Sequence, residues 1–197
     1  MNRLYQNDLN TLSNKGLQRL IGIDEAGRGA LAGPVVIAAV ILDYAFVFEE
    51  LKDSKLLSAK KRESLYQKIT QHAYAYKIVE IEAELIDQIN IRQATLLGFC
   101  KAYEALRSVA SYALVDGRDL PDSIQGEAIV KGDSNFACIA AASILAKVHR
   151  DQIMRELDPI YPEYGFATHK GYGTYQHYEA LHSYGACLEH RRSFRLK

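Results

Sequence analysis

Three short apolar segments, far apart in the sequence, each lead into acidic residues. The acids are Asp24 and Glu25 after the first segment, Asp116 after the second and Asp133 after the third. Short, apolar, β-branched runs predict buried strands. In α/β sheets ligands gather near strand ends, so these acids could converge in the fold. One acid at the end of a strand is commonplace, but three strands that share the pattern favour a functional site.

The order of strand-like and helical patterns predicts an α/β fold with a mixed central sheet flanked by helices. The strand predicted over 20–25 and the apolar run 35–42 are joined by glycines, which favours a hairpin. Helices are predicted over 59–72, over 86–108 as one helix or two, over 136–157 and near 175–183, and a further strand over 74–81.

The domain organisation is expected to be simple. Residues 1–16 are polar, and we expect a loosely held lead-in there. Residues 17–197 would form a single domain, in which about 158–197 build a small C-terminal helical cap. A chain of 197 residues is ample for one hydrophobic core.

Composition excludes some classes of protein and leaves others open. Lys plus Arg and Asp plus Glu are both 24, so the chain lacks the overall basic excess that is typical of nucleic-acid-binding proteins. Locally, residues 190–197 carry four positive charges and no acid, and a solvated tail and a phosphate-binding segment stay equally open. Three widely spaced cysteines are expected to be reduced. The run 34–42 is too short to span a membrane and no secretory signal is visible, so a cytoplasmic location is the default expectation.

Acids gathered at one edge of a sheet would suit metal ions. Carboxylates repel one another unless they are protonated or bind cations. Their oxygens suit Mg²⁺ or Mn²⁺ rather than zinc, and two such ions can catalyse phosphodiester cleavage. One difficulty is that Asp24 and Glu25, as neighbours on a strand, should point to opposite faces. Both can point inward only where the strand ends or bulges, which Gly27 and Gly29 make plausible.

The glycine-rich stretch 27–33 admits two interpretations. It resembles a dinucleotide-binding fingerprint, but its third glycine comes one residue late, and a strand-like run follows instead of a helix. The alternative is a Gly27-Arg28-Gly29 turn, whose exposed backbone N–H and C=O groups can approach a sugar or a phosphate. The turn is the favoured interpretation.

A series of motifs runs from about Leu20 to Phe194. It consists of GIDEAGRG (22–29) with GPV (33–35), DSK (53–55), NIRQAT (90–95), VDG (115–117), KGDS (131–134), AASILAKV with RD (141–151), YGFATHKGYGT (164–174) and HRRSF (190–194). Together these motifs closely resemble the ribonuclease HII family, in family order. Arg28 and the short N-terminal segment favour this family over ribonuclease HIII, which tends to have lysine in the turn and an extra N-terminal substrate-binding domain.

The resemblance implies an RNase H-like fold and a metal-binding, catalytic quartet at Asp24, Glu25, Asp116 and Asp133. It implies an endonuclease that cuts the ribonucleotide-containing strand of RNA–DNA hybrids and of DNA duplexes with embedded ribonucleotides. The cut would lie 5′ of the ribonucleotide and leave a 3′-hydroxyl and a 5′-phosphate. Two Mg²⁺ or Mn²⁺ ions would serve as cofactors.

The resemblance also assigns substrate-binding roles. The backbone of Gly27, Arg28 and Gly29 would recognise the ribose 2′-hydroxyl, the group that distinguishes RNA from DNA. Tyr172 would stack on the adjacent sugar, since its ring supplies contact area and a hydrogen bond. The basic tail and three lysines are candidates for phosphate contacts: Lys55, Lys147 and Lys170.

Other polar residues within these motifs are expected to be structural. Asp151 is expected to pair with Arg150 or Lys147. His169 and His177 could aid proton transfer, but hydrogen bonds within loops are the favoured expectation.

Two alternatives remain open from the sequence. A non-catalytic hybrid-binding module on the same fold would be expected to lack one of the four acids, and all four are present. A different metal-dependent phosphotransfer enzyme would not need the glycine turn and Tyr172. Nothing demands more than a monomer, no clamp-binding peptide is visible after Phe194, and the expected partners are RNA–DNA hybrids and ribonucleotide-containing DNA.

Overall fold

The computed structural model describes residues 3–51 and 57–196 of the chain. Its strands are β1 (Ile21–Ala26), β2 (Val35–Ile41), β3 (Ala75–Ile81), β4 (Ala113–Asp116) and β5 (Gly126–Ile129). Its helices are α1 (Arg3–Lys15), α2 (Ala59–His72), α3 (Ala83–Ile89), α4 (Ile91–Leu106), α5 (Ala137–Leu157), α6 (Phe166–His169) and α7 (Tyr175–Tyr184). A 3₁₀ turn, Gly132–Ser134, precedes α5.

The strands form one mixed sheet in the order β3-β2-β1-β4-β5. β1 pairs antiparallel with β2, and β2 with β3, whereas β4 pairs parallel with β1, and β5 with β4. A parallel neighbour requires a crossover connection, and α3 with α4 supply it between β3 and β4. The predicted mixed sheet flanked by helices is confirmed, and so is the hairpin of β1 and β2.

The sheet separates two hydrophobic layers because alternate residues of a strand face opposite sides. On one side, Ile21 and Ile23 belong to the same buried cluster as Phe99 of α4. On the other side, Ala38 of β2 belongs to a cluster with Ile139 of α5. Each fully buried aliphatic side chain contributes roughly 1.5–3 kcal/mol, so these two layers set the position of β1 between α4 and α5.

Helix α5 lies directly against the centre of the sheet. A Cβ placed on Gly22 of β1 would lie 2.1 Å from the carbonyl carbon of Cys138, so only glycine permits this approach. Every residue from 137 to 146 is buried. The close contact also brings Ser143 of α5 within hydrogen-bonding reach of Asp24.

The N-terminal segment is not the loosely held lead-in that its polar composition predicts. Residues Arg3–Lys15 form α1, in which Tyr5 and Asp8 are fully buried. The Asp8 carboxylate accepts hydrogen bonds from the backbone N–H groups of Ala137 at 3.0 Å and Cys138 at 2.9 Å, at the start of α5. The prediction was wrong because the burial of α1 depends on a helix end that is remote in the sequence.

The remaining differences concern where elements end. The helical pattern 86–108 forms two helices separated at Asn90, which has a left-handed φ of 65° and whose side chain accepts a hydrogen bond from the Gln93 N–H. The third apolar segment ends as β5 at Ile129. Asp133 therefore lies on the 3₁₀ turn and not at the strand end.

Helices α6 and α7 pack beside α5. One buried cluster contains Met154 of α5, Phe166 of α6 and Leu181 of α7. The chain then returns to the glycine-rich stretch, where Ala32 and His190 form an isolated antiparallel bridge. Among the helices of the described residues, none has the length and apolar character needed to cross a membrane.

Candidate active site

A cavity of about 370 Å³ lies at the edge where β1 and β4 separate. Its lining combines acids, a glycine of the turn, basic side chains and a tyrosine: Asp24, Glu25, Ala26, Gly27, Arg62, Asp116, Ser143, Lys147 and Tyr172. A larger and more apolar cavity of about 1020 Å³ lies beside α7, but Glu179 is the one acid in its lining. Three of the four acids that the sequence predicts for the site therefore lie at the smaller cavity.

Asp24 and Glu25 both line this cavity although β1 neither ends nor bulges between them. The β1–β2 ladder keeps a regular register through Ala26. On its other side, β1 stops pairing with β4 at Ile23. Beyond that point the edge of β1 is open towards Asp116, and both carboxylates reach the opening. Of the two expected irregularities, the bulge is not found in the ladder with β2, whereas β1 does end at Ala26, directly after Glu25, and its pairing with β4 has already ended at Ile23.

The three carboxyl groups of the cavity repel one another. Burial raises the pKa of Asp24 well above its usual range, and the charges of Glu25 and Asp116 raise it further, against a hydrogen bond from Ser143. Burial also raises the pKa of Glu25. The Arg28 guanidinium, 3.5 Å from the Glu25 carboxylate, acts in the opposite direction. Such a cluster is stabilised when it binds a cation or a proton.

Asp116 and Asp133 are linked through the turn before α5. Asp116 Oδ1 accepts a hydrogen bond from the Gly132 N–H at 2.6 Å. Asp133 is 3% exposed, its Oδ1 accepts from the Ser134 hydroxyl at 3.4 Å, and it is not among the residues that line the cavity. Within residues 3–51 and 57–196, no group of three His, Cys, Asp or Glu side chains is arranged to hold a metal ion. The quartet therefore stays a prediction.

The two glycines of the turn are glycines for different reasons. Gly27 has a φ of 93°, and a Cβ there would lie 1.9 Å from Arg150 Nε, so the fold itself requires glycine. Gly29 is exposed, its φ is outside the left-handed region, and a Cβ there would meet nothing within 4 Å. Its small size leaves room for a molecule that approaches from outside.

Tyr172 is half-buried and lines the same cavity as the acids of β1. Its ring centre lies 5.2 Å from the guanidinium carbon of Arg150 and 5.7 Å from Lys147 Nζ. The carbonyl of the preceding Gly171 accepts a hydrogen bond from the Leu31 N–H at 2.8 Å. The loop of Tyr172 is therefore bound to the stretch that follows the glycine turn.

The three lysines predicted to contact phosphate differ in position. Lys147 lines the cavity, and its Nζ lies 2.8 Å from Asp151 Oδ1, which confirms the expected pairing of Asp151. Lys170 does not line the cavity, its ammonium group donates to the Ala167 carbonyl, and burial lowers its pKa. Lys55 lies outside the described residues. The phosphate contacts of all three stay predictions.

His169 and His177 form the loop hydrogen bonds that the sequence predicts. His169 Nε2 lies 2.7 Å from the Tyr164 carbonyl, and His177 Nδ1 lies 3.0 Å from the Tyr172 carbonyl. His177 Nε2 also lies 3.0 Å from His190 Nε2. The rings of His169 and His177 stack on each other, and His177 binds the loop of Tyr172 through its carbonyl.

Sequence reasoning missed several residues at or next to the cavity. Arg62 of α2 and Ser143 of α5 line it, and Arg150 and Arg191 are fully buried nearby. The available signal for Ser143 was its place among the small residues of a helix that packs on a sheet. The basic pattern at the C-terminus places Arg191 in solvent or against phosphate, and its burial contradicts both interpretations. Arg62 carried no signal, because only tertiary packing brings α2 to the cavity.

Comparison with known proteins decides the family. A family model described as Ribonuclease HII matches residues 21–197. The chain belongs to the ribonuclease HII family. A curated ribonuclease HII from Albidiferax ferrireducens is 55% identical over 174 residues, which cover 88% of this chain and 84% of that protein.

Solved structures agree with this family in fold. The ribonuclease H2 of Pyrococcus horikoshii OT3 has a TM-score of 0.77 at 26% identity, covering 91% of this chain and 95% of that chain. Bst-RNase HIII in complex with Mn²⁺ has a TM-score of 0.67 at 17% identity, covering 90% of this chain and 67% of that chain. The RNase H-like fold is thereby shown. As a member of the ribonuclease HII family, the chain is a divalent-metal-dependent endoribonuclease that acts on RNA–DNA hybrids.

Proposed function

We propose that the chain also cleaves DNA duplexes with embedded ribonucleotides, on the 5′ side of the ribonucleotide, leaving a 3′-hydroxyl and a 5′-phosphate. The observation that carries this proposal is one shared cavity of about 370 Å³. Its lining includes the carboxylates of Asp24, Glu25 and Asp116 together with Gly27 and Tyr172. Groups suited to the phosphodiester and groups suited to the sugar are thus within reach of the same nucleotide.

The donor set of this cavity fits Mg²⁺ or Mn²⁺. Both are hard cations that prefer carboxylate oxygens, and a nearby cation stabilises the ionised form of buried, mutually repelling acids. We propose that Asp24, Glu25, Asp116 and Asp133 hold two ions. The cavity lining supports the first three, and Asp133 joins them from the sequence resemblance. When bound, the ions supply activation of the attacking water and stabilisation of the departing 3′-oxygen.

The protein's own groups hold these acids in place. The Ser143 hydroxyl donates to Asp24, and the Gly132 N–H donates to Asp116 at 2.6 Å. Both acids lie on strands of the central sheet, so their positions are held by the core. Lys147 lies at the same cavity, where its positive charge would favour the phosphate of the substrate.

We propose that the backbone of residues 27–29 and the ring of Tyr172 recognise the ribose. The open space at Gly29 allows a sugar to approach the backbone closely. The tyrosine adds a flat contact surface and a polar hydroxyl. A deoxyribose lacks the 2′-hydroxyl and would leave such groups unpaired, which produces discrimination against DNA.

Cleavage of a labelled DNA duplex with one embedded ribonucleotide tests this function. The reaction is run with Mg²⁺, with Mn²⁺ or with a chelator, beside an all-DNA duplex. We expect a metal-dependent cut 5′ of the ribonucleotide and an intact control. Cleavage of a long RNA–DNA hybrid alone would reject the account of the turn and Tyr172. No cleavage of either substrate by folded protein would favour a non-catalytic hybrid-binding module.

A further inference from the structure

Two arginines are among the largest fully buried side chains of the protein. Arg150 of α5 and Arg191 near the C-terminus both show 0% exposure. Taking a guanidinium group out of water is costly unless its N–H groups find acceptors. Burial and the nearby charge of Arg150 lower the pKa of Arg191 to about 9. Both guanidinium groups bind backbone carbonyls, which compensates for the water that they lose on burial.

Arg150 joins the glycine-rich stretch to the loop of Tyr172. Its Nε donates to the Pro34 carbonyl and its Nη2 to the Ala32 carbonyl, both at 3.0 Å. Its Nη1 donates at 2.9 Å to the carbonyl of Lys170, two residues before Tyr172. One planar side chain therefore binds two separate segments, one that follows the glycine turn and one that leads to Tyr172.

Arg150 also contacts both recognition elements directly. Its Nε lies 1.9 Å from the place that a Cβ of Gly27 would take. On the other side, its guanidinium carbon lies 5.2 Å from the centre of the Tyr172 ring, within the range of a cation–π contact. Because the guanidinium group is rigid and hydrogen-bonded, these contacts set the separation between the turn and the ring.

Arg191 also binds the glycine turn, through backbone carbonyls. Its Nη1 donates at 3.0 Å to the carbonyl of Arg28, the central residue of the turn. Its Nε and Nη2 both donate to the Gly33 carbonyl, at 3.0 and 2.8 Å. Its backbone N–H donates to the Leu31 carbonyl at 2.8 Å. The C-terminal segment therefore fixes both ends of the stretch 28–33.

We propose that Arg150 and Arg191 are positioning residues for ribose recognition, which hold the turn 27–29 and the Tyr172 ring at the spacing that one ribose requires. The inference rests on the proposed function, and neither arginine needs to touch the substrate. Recognition sites tolerate only small displacements of their groups. Loss of either arginine should therefore reduce the preference for a ribonucleotide more than it reduces affinity for the duplex.

The test compares two duplexes that differ by one 2′-hydroxyl. Dissociation constants are measured with Ca²⁺ in place of Mg²⁺ or Mn²⁺, or in chelator if Ca²⁺ supports cleavage. One duplex contains a single embedded ribonucleotide and the other is all DNA. For Arg150→Lys and Arg191→Lys we expect the preference for the ribonucleotide to fall about tenfold or to vanish. Lysine keeps the charge but cannot bind several carbonyls in one plane.

Arg155→Lys is the matched control on the same helix. Arg155 is exposed and its Nη1 lies 3.2 Å from Glu63 Oε1, so this variant should keep the wild-type preference. Both constants come from one preparation, so their ratio does not depend on the folded fraction. Arg191→Lys carries the test if Arg150→Lys fails to fold.

The possible outcomes separate this inference from the proposed function. An unchanged preference in the folded arginine variants, with a clear wild-type preference, would remove the positioning role and leave the proposed function standing. An equal loss of affinity for both duplexes would do the same. A wild-type protein without any preference for the ribonucleotide would overturn ribose recognition at this cavity, and the positioning role with it.

Discussion

At the scale of single residues, packing explains why some positions have the residue they have, whereas at other positions nothing in the fold requires it. Gly27 is glycine because Arg150 fills the space beside it, whereas nothing in the fold excludes a side chain at Gly29. Asp24 is buried next to Glu25 and Asp116, an arrangement that raises its pKa and destabilises the ionised cluster. Residues whose identity the fold does not require are the best candidates for contact with substrate.

Gly29→Ala should impair recognition without impairing the fold. The added methyl group meets nothing within 4 Å, so the free energy of unfolding should change by no more than about 0.5 kcal/mol. It would stand where the sugar approaches, and we expect kcat/KM on a single-ribonucleotide duplex to fall about tenfold or more. Gly27→Ala, in contrast, should lower the thermal midpoint. Wild-type activity in Gly29→Ala would show that no ribose approaches this residue.

Asp24→Asn and Asp116→Asn should each abolish cleavage and leave the metal-free protein at least as stable. Each change removes one negative charge from a repelling cluster while the shape of the side chain is kept. Cleavage assays and thermal unfolding in chelator measure the two effects. Asp122→Asn, in an exposed loop, is the isosteric control. A variant that cut at near the wild-type rate would remove that acid from the scheme.

At the scale of elements, α5 organises the site. Ser143, Lys147 and Arg150 recur at a spacing of four and three residues, which places them on one face of the helix. The first two line the cavity, and the third binds the glycine stretch and the loop of Tyr172. The start of α5 is held by Asp8 of α1. The position of α5 therefore decides where Ser143 and Lys147 stand at the cavity and where Arg150 binds the carbonyls of Pro34 and Lys170.

Asp8→Ala should destabilise the protein through the start of α5. The change removes both acceptors of the Ala137 and Cys138 N–H groups in a buried setting. We expect the free energy of unfolding to fall by about 1–3 kcal/mol in denaturant titrations. Asn14→Ala, at an exposed position of the same helix, should change it by less than about 0.5 kcal/mol. Equal effects of the two variants would contradict the capping role.

The pH dependence of stability should change in the same variant. Burial raises the pKa of Asp8 from 3.8 to about 6 in the folded protein. The folded state then retains a proton that the unfolded state releases, so the stability from Asp8 is complete below about pH 4 and is lost as pH rises through about 6. The difference between wild type and Asp8→Ala should therefore be largest at low pH. Parallel pH profiles for the two proteins would exclude this titration.

At the scale of the whole molecule, the N-terminal helix and the C-terminal segment both bind elements that carry residues of the site. The C-terminal segment binds the stretch 28–33 through Arg191, and α1 binds the start of α5 through Asp8. The family match begins at residue 21, so α1 lies outside it. A segment beyond the shared family region therefore supports the helix that carries Ser143 and Lys147 of the cavity.

Removal of residues 1–16 should lower stability substantially. The α1 helix buries Leu4, Tyr5 and Leu12, each worth roughly 1.5–3 kcal/mol. This loss is a large fraction of the roughly 5–15 kcal/mol that stabilises a typical domain. Thermal unfolding of the shortened chain should show a clearly lower midpoint. An unchanged midpoint would show that α1 is dispensable for folding.

The sequence alone determined the local patterns and the three acids that meet in one cavity. Short apolar runs predicted β1 and β2, helical periodicity predicted α2 and α5, and their order predicted the mixed sheet, because these patterns record which residues of each element are buried. Family motifs pointed to Tyr172 and the glycine turn, which the cavity brings together with the acids. These features are encoded within short stretches of chain, so they can be recognised without a structure.

Only the tertiary structure decided what depends on contacts between remote segments. It showed α1 packed on α5, Asp133 on a 3₁₀ turn instead of at a strand end, and the edge of β1 open beside β4 beyond Ile23. It also placed Arg191, which has the composition of a basic tail, in the interior. The physical reason is common to all four: burial and hydrogen bonding are satisfied by partners far away in the chain, and no local pattern records those partners.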